Sequence, residues 1–145
     1  MNMSTARIAI LLLAAVAGQA ALAADYGGYR GKGGMGAYKI EPNVYEYHYD
    51  KGFTGPDAAG WDPNLQFAWS RLGAAMTCGI PYDRAGVIAA LVGKYQQDAL
   101  THGMNGIDFH AAQSKANPKF CTPERVEELK AMIPAFEKGD FPSRF

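Results

Sequence analysis

Apolar residues recur at helical spacing in three stretches of the chain, and each stretch carries its own start and stop signals. In the first, Leu65, Ala68, Trp69, Leu72, Ala75 and Met76 fall on one face, behind Asp62 as N-cap and Pro63 at the first helical position, with Gly79 placed to end the helix. In the second, Val87, Ile88, Leu91, Val92, Tyr95 and Ala99 form a stripe behind Asp83 as N-cap. Tyr82 can staple onto Val87, and Gly103 stands past the end. Gly86, Ala89, Ala90 and Gly93 make a strip of small residues beside that stripe, which predicts a close approach by another helix. The third opens at Thr122 and Pro123 and buries Val126, Leu129, Met132, Ile133 and Phe136, with Pro134 expected to stop or bend it. Between them the pattern weakens: a turn at Met104, Asn105 and Gly106 is followed by a short helix over residues 107–116, closed by Asn117 and Pro118.

Upstream of these helices the period changes. Tyr45, Tyr47 and Tyr49 alternate with Glu46, His48 and Asp50, so an extended chain puts three rings on one face and the polar groups on the other. Either the rings lie on the helical core, or Tyr45, Tyr47, His48 and Tyr49 form a binding strip. Residues 25–37 are nearly half glycine and hold almost no aliphatic side chain to offset the entropy of ordering, which predicts a flexible tail. The chain therefore divides into a signal peptide over 1–23, a disordered tail over 24–37, an extended and loop segment over 38–60, and a helical domain over 61–145. The fold class expected is all-α, a disulfide-stapled bundle of about four helices.

The front of the chain sets the redox context. Arg7 precedes an apolar run that is too short to span a bilayer and closes on Ala21, Leu22 and Ala23, the form of a cleavable signal. Cleavage between Ala23 and Ala24 predicts a periplasmic or secreted product with no membrane span. In that setting Cys78 and Cys121, a single pair without CxxC spacing, are expected as a disulfide. Charge adds little: Lys plus Arg equals Asp plus Glu at 14 each, and loss of Arg7 leaves 13 cations against 14 anions. No strong field recruits nucleic acid or anionic membrane.

The spacings that force an enzymatic reading are missing: no GxSxG elbow, HExxH, phosphate loop or calcium loop occurs. A GxGGxG string over residues 31–36 has neither a preceding strand nor a following amphipathic helix. His102, Asp108 and His110 flank the weak middle region and could converge as an acid–base or metal set, but their spacing matches no ligand motif. The segment Phe120-Cys121-Thr122-Pro123-Glu124-Arg125-Val126 resembles the periplasmic immunity proteins of type VI secretion systems. That resemblance implies a small exported helical domain with a disulfide, and carries over no toxin-contact residue.

Three functional expectations follow. The first is a non-enzymatic interaction or envelope-stress protein that binds an unknown protein or envelope partner through the tyrosine strip and needs no cofactor or metal. The second is a small-ligand or metal carrier using the same Tyr/His strip. The third is an immunity-type protein of the periplasm.

Overall fold

The computed structural model describes residues 25–145; the signal-peptide expectation lies outside them. Five α-helices make up the described chain, with no strand among the described residues: α1 (Pro42–Lys51), α2 (Pro63–Thr77), α3 (Arg84–Tyr95), α4 (Phe109–Lys115) and α5 (Pro123–Glu137). A 3-10 turn (Gly55–Ala58) joins α1 to α2, and a π-helical stretch (Thr101–Asp108) runs directly into α4. The all-α expectation holds, with one helix more than anticipated.

Helix α2 is the centre. Asp62 accepts hydrogen bonds from the backbone amides of Asn64 and Leu65, which caps it. From Leu65 to Ala75 every residue is buried, so α2 is enclosed on all sides rather than along one stripe. One side of it contributes Trp69, Leu72 and Ala75 to a cluster with Val87, Ile107 and Phe136. Ala74 joins a second cluster, built on Tyr45, Tyr49, Phe53, Phe120 and Leu129. Cys78, at the C-cap of α2, is bonded to Cys121 just ahead of α5, with Cα atoms 5.5 Å apart. The predicted staple is present.

The extended strip is a correction: residues 42–51 are helix α1. Alternation was one reading of the segment, but Val44, Tyr45, His48 and Tyr49 also stand at i, i+1, i+4 and i+5, which is one face of a helix. Pro42 at the start of the helix, after an extended Glu41, and Gly52 at the C-cap with φ 109° set its ends. Tertiary burial of four of its residues decides between the two periods.

The tail is a second correction, since residues 25–37 rest on α1. Tyr26 donates from its hydroxyl to Asp50 (2.6 Å), and Asn43 donates from its side-chain amide to the Tyr26 carbonyl (2.8 Å). The rings of Tyr26 and Tyr29 each pack edge-on against Tyr47, with centroids 5.2 Å away. Aromatic and polar contacts here supply what the missing aliphatic residues do not. Gly31, at φ 87°, brings its backbone so close to the Tyr47 ring that a Cβ would lie 2.6 Å from the phenol oxygen.

The close helix approach is real but lies elsewhere. A Cβ on Gly93 would meet nothing, and one on Gly86 would strike only the carboxylate of Asp83. Instead Gly73 of α2 faces α4, where a Cβ would stand 2.5 Å from the Ala111 amide nitrogen. Helix α3 also ends sooner than its stripe suggests, at Tyr95. Gln96 and Gln97 take positive φ angles of 59° and 53°, and Asp98 then accepts from the Thr101 amide (2.8 Å) to cap the next helical run. Pro134 neither stops nor ends α5, which continues to Glu137. Beyond it the chain folds back, burying Phe141 against Phe136.

Candidate functional site

The four strip residues separate once α1 forms. Tyr45 and Tyr49 are each about 1% exposed and His48 is 3% exposed, so all three are core, while Tyr47 is half-buried under the rings of Tyr26 and Tyr29. The tyrosine strip is not an open recognition surface. A helix places i and i+4 together on the side that packs, whereas the extended reading left a face in water.

Their polar atoms are committed inward. His48 donates from Nδ1 to the Gly52 carbonyl (3.0 Å), and its Nε2 lies 2.8 Å from the Tyr29 hydroxyl and 3.6 Å from Asp57 Oδ2. Asp57, itself buried, accepts from the backbone amides of Gly33 (3.2 Å) and Met35 (3.4 Å). Burial, with the Asp57 charge and Tyr47 added, pushes the Tyr29 phenol up. Together these contacts fasten the glycine-rich segment onto α1. No group of three or more His, Cys, Asp or Glu placed to hold a metal ion occurs among the described residues.

The histidine and aspartate trio of the middle region does not converge. His102 accepts from the Trp69 indole N–H at Nδ1 (3.2 Å) and donates from Nε2 to the Gln96 carbonyl (2.8 Å). His110 accepts from the Tyr45 hydroxyl at Nδ1 (2.9 Å) and donates from Nε2 to Gln66 Oε1 (2.6 Å); Gln66 in turn donates to the Ala58 carbonyl (2.8 Å). Asp108 points away and pairs with Arg84 at 3.0 Å. Burial first, then the nearby Arg71 charge, holds His110 down at about 3, so it is a neutral structural imidazole near neutrality. The trio thus serves three different jobs in packing.

No family model, no curated protein and no solved structure matches the chain. What the molecule offers a partner is therefore read from its own surface.

One run of adjoining clefts is built by the glycine-rich loop against the π-helical stretch and α4. A cleft of about 360 Å³ lies between Met35, Trp61, Gln66, Met104 and Phe109. A second, about 350 Å³, is bounded by Tyr38, Lys39, Ala112 and Gln113 and shares Met35 and Phe109 with the first. A third, about 250 Å³, runs between Met76, Thr77 and Lys115 and shares Ala112 with the second. The three form one band along the outer side of α4.

Local structure explains why this band is shaped and held. Met35 is buried at 6% exposure and anchored through its amide to Asp57, so the adjoining Tyr38 is presented on a fixed loop. The Trp69 indole lies directly against Gly106, where any side chain would clash, and the π-helical turn carries Met104 and Asn105 outward around it. Gln66 lies at the base of the first cleft, with its amide held by His110 and Ala58. Sequence reading missed Met35, Tyr38 and Met104. Met35 was the available signal, as the one long apolar side chain in the glycine run.

Proposed function

We propose that this is an exported helical protein of the cell envelope that acts by binding a protein partner, has no catalytic centre of its own, and uses the loop–α4 band as its binding surface. The observation that carries the reading is where the exposed apolar side chains stand. Among the described residues five large ones are exposed, Tyr38, Met76, Leu100, Met104 and Phe145. Tyr38, Met76 and Met104 line the band, and Leu100 precedes Met104 by one turn. Scattered single apolar side chains need no explanation, whereas three of the five standing along one run of adjoining clefts favour an interface there. Tyr38 is fully exposed on an anchored loop, which suits a residue that gives contact area at low entropy cost. The disulfide fits an oxidising compartment, and no described helix is long and apolar enough to cross a membrane.

Catalysis lacks a site in this reading because the titratable groups best placed for it, His48, His102 and His110, are buried and hydrogen-bonded to structural partners. The carrier reading loses its premise for the same reason, since it needed the Tyr45–Tyr49 strip open to ligand. A photo-crosslinking amino acid placed at Tyr38, and separately at Glu127 on α5, tests the proposal in cells that express the full chain. The Tyr38 position should yield a discrete crosslinked protein that the Glu127 position does not. Equal products from both positions, or none from Tyr38, would sink the binding surface, and turnover of any substrate by the purified protein would sink the non-enzyme part.

A further inference from the structure

His48 and Asp57 sit where the glycine-rich segment lies on α1, and the hydrogens available there do not satisfy a neutral imidazole. The Gly52 carbonyl beside Nδ1 can only accept, so Nδ1 carries a hydrogen and Nε2 of a neutral ring is a bare lone pair. Against that lone pair stands the Tyr29 hydroxyl, 2.8 Å away, which is also bonded to the Gly33 carbonyl. One phenol hydrogen thus meets two acceptors, and the phenol keeps it because burial, and then the Asp57 charge, push Tyr29 up. A second proton on the ring removes the deficit: Nε2 donates to the Tyr29 oxygen, and Tyr29 donates to Gly33. Asp57 calls for the same proton independently. Its side chain is 7% exposed and draws two long amide bonds, from Gly33 (3.2 Å) and Met35 (3.4 Å). Among the described residues its one ion-pair partner is His48, with Nε2 at 3.6 Å from Oδ2. A buried carboxylate without a countercharge is costly.

We infer that His48 carries a proton on both ring nitrogens in the folded chain, and that this second proton latches the glycine-rich segment onto α1, so that the segment lets go as pH rises. The docked segment needs the proton and the released one does not, so docking takes a proton up. It is strongest where a free histidine is charged, below about pH 6.5, and weakens above that value. No other group around the ring substitutes for this proton. On α1, Tyr47 packs edge-on at 5.2 Å, Tyr45 gives its hydroxyl to His110, and Glu46 and Asp50 turn to Arg125. Asp25, Arg30, Lys32 and Lys51 are exposed. His110, behind Phe53, is held down at about 3 by burial and stays uncharged over this range. It also shows the contrast, since each of its nitrogens meets a single partner of the right kind, the Tyr45 hydroxyl and Gln66 Oε1. Release has a structural consequence whatever the protein binds: Met35, anchored through Asp57, lines both clefts between this segment and α4, so one wall of each is lost.

The test is nitrogen NMR of the histidine side chains in the full mature chain from pH 5.5 to 8.5, with His48 assigned by its loss in His48→Gln, alongside amide hydrogen exchange. At pH 6 both His48 nitrogens should be protonated, with Nε2–H protected from exchange. As pH rises the Nε2 proton should leave, and protection of the Gly33 and Met35 amides, corrected for the intrinsic rate, should fall about tenfold by pH 8.5 while amides of α2 stay protected. Asp57→Asn keeps the shape and removes the countercharge, so His48 should lose its second proton at lower pH and protection of the two amides should no longer depend on pH. A bare Nε2 at pH 6 in the wild type would overturn the inference without recourse to any variant. Loss of the proton with no change in protection at Gly33 and Met35 would overturn the latch, and an unchanged His48 titration in folded Asp57→Asn would overturn the ion pair on which it depends.

Discussion

Tyr45 and Tyr49 stand one helical turn apart with the same burial, yet their hydroxyls have different fates. Tyr45 donates to His110 Nδ1, whereas the Tyr49 hydroxyl is buried without a hydrogen-bond partner, under the guanidinium of Arg71 at 3.8 Å from its ring centroid. Burial, opposed by that Arg71 charge, pushes the Tyr49 phenol up to about 12, and burial raises the Tyr45 phenol as well. Tyr45→Phe should therefore cost about 1–2 kcal/mol by stranding the imidazole, while Tyr49→Phe should be neutral or stabilise by up to about 1 kcal/mol, both read from urea unfolding. His110 gives a pH signature of its own. Its folded value, about 3, lies below the ordinary 6.5, so the unfolded chain takes up a proton that the folded one refuses. Stability contributed by the neutral imidazole is complete above pH 6.5 and should fall by about 1.4 kcal/mol per pH unit as pH drops from there toward 3. Unfolding curves from pH 7 to 4 should show this slope, and His110→Gln should flatten it. None of these partners was legible in the sequence, because Tyr45 and His110 lie 65 residues apart.

Elements show the opposite balance between local signal and outcome. Caps at Asp62, Asp83 and Thr122 were readable from single residues and each makes the hydrogen bond expected of it. Interior glycines were not, since a small residue leaves open which neighbour approaches it. Gly73 is where α2 and α4 meet, reinforced by Thr77 Oγ1 and Ser114 Oγ at 2.6 Å, whereas the space beside Gly93 is empty. Gly73→Ala should destabilise by roughly 1–3 kcal/mol, since backbone of α4 must retreat. Gly93→Ala should stabilise by up to about 1 kcal/mol through helix propensity alone. Thermal melts of the two variants moving in the same direction would contradict this placement.

At the scale of the whole molecule the bridge from Cys78 to Cys121 links the end of the central helix to the start of the last one, across a sequence separation of 43. The chain between them holds α3, the π-helical stretch and α4, and the last two build one side of the proposed binding surface. Reduction or Cys78→Ala/Cys121→Ala should cost on the order of 4 kcal/mol in the chain-entropy account, measured as a shift in denaturation midpoint with unchanged helical signal at low denaturant. Arg125 reinforces the same junction by reaching from α5 to Glu46 (2.7 Å) and Asp50 (3.3 Å) on α1.

The sequence by itself determined the helical class, the caps, the apolar stripe that carries Trp69 and the cysteine pair, because each of these is written in near neighbours or in a count of two. Only tertiary structure decided the conformation of residues 42–51, whose pattern satisfies both a period of two and a period near 3.6 until a core is present to bury one face. It also decided that residues 25–37 lie on α1, through contacts such as Tyr26 with Asp50 that join positions 24 residues apart. The exposed band beside α4 belongs to the same class. Met35, Tyr38, Met104 and Lys115 come together only when the loop and the helix are packed, and no local signal reports which apolar side chains a fold will leave outside.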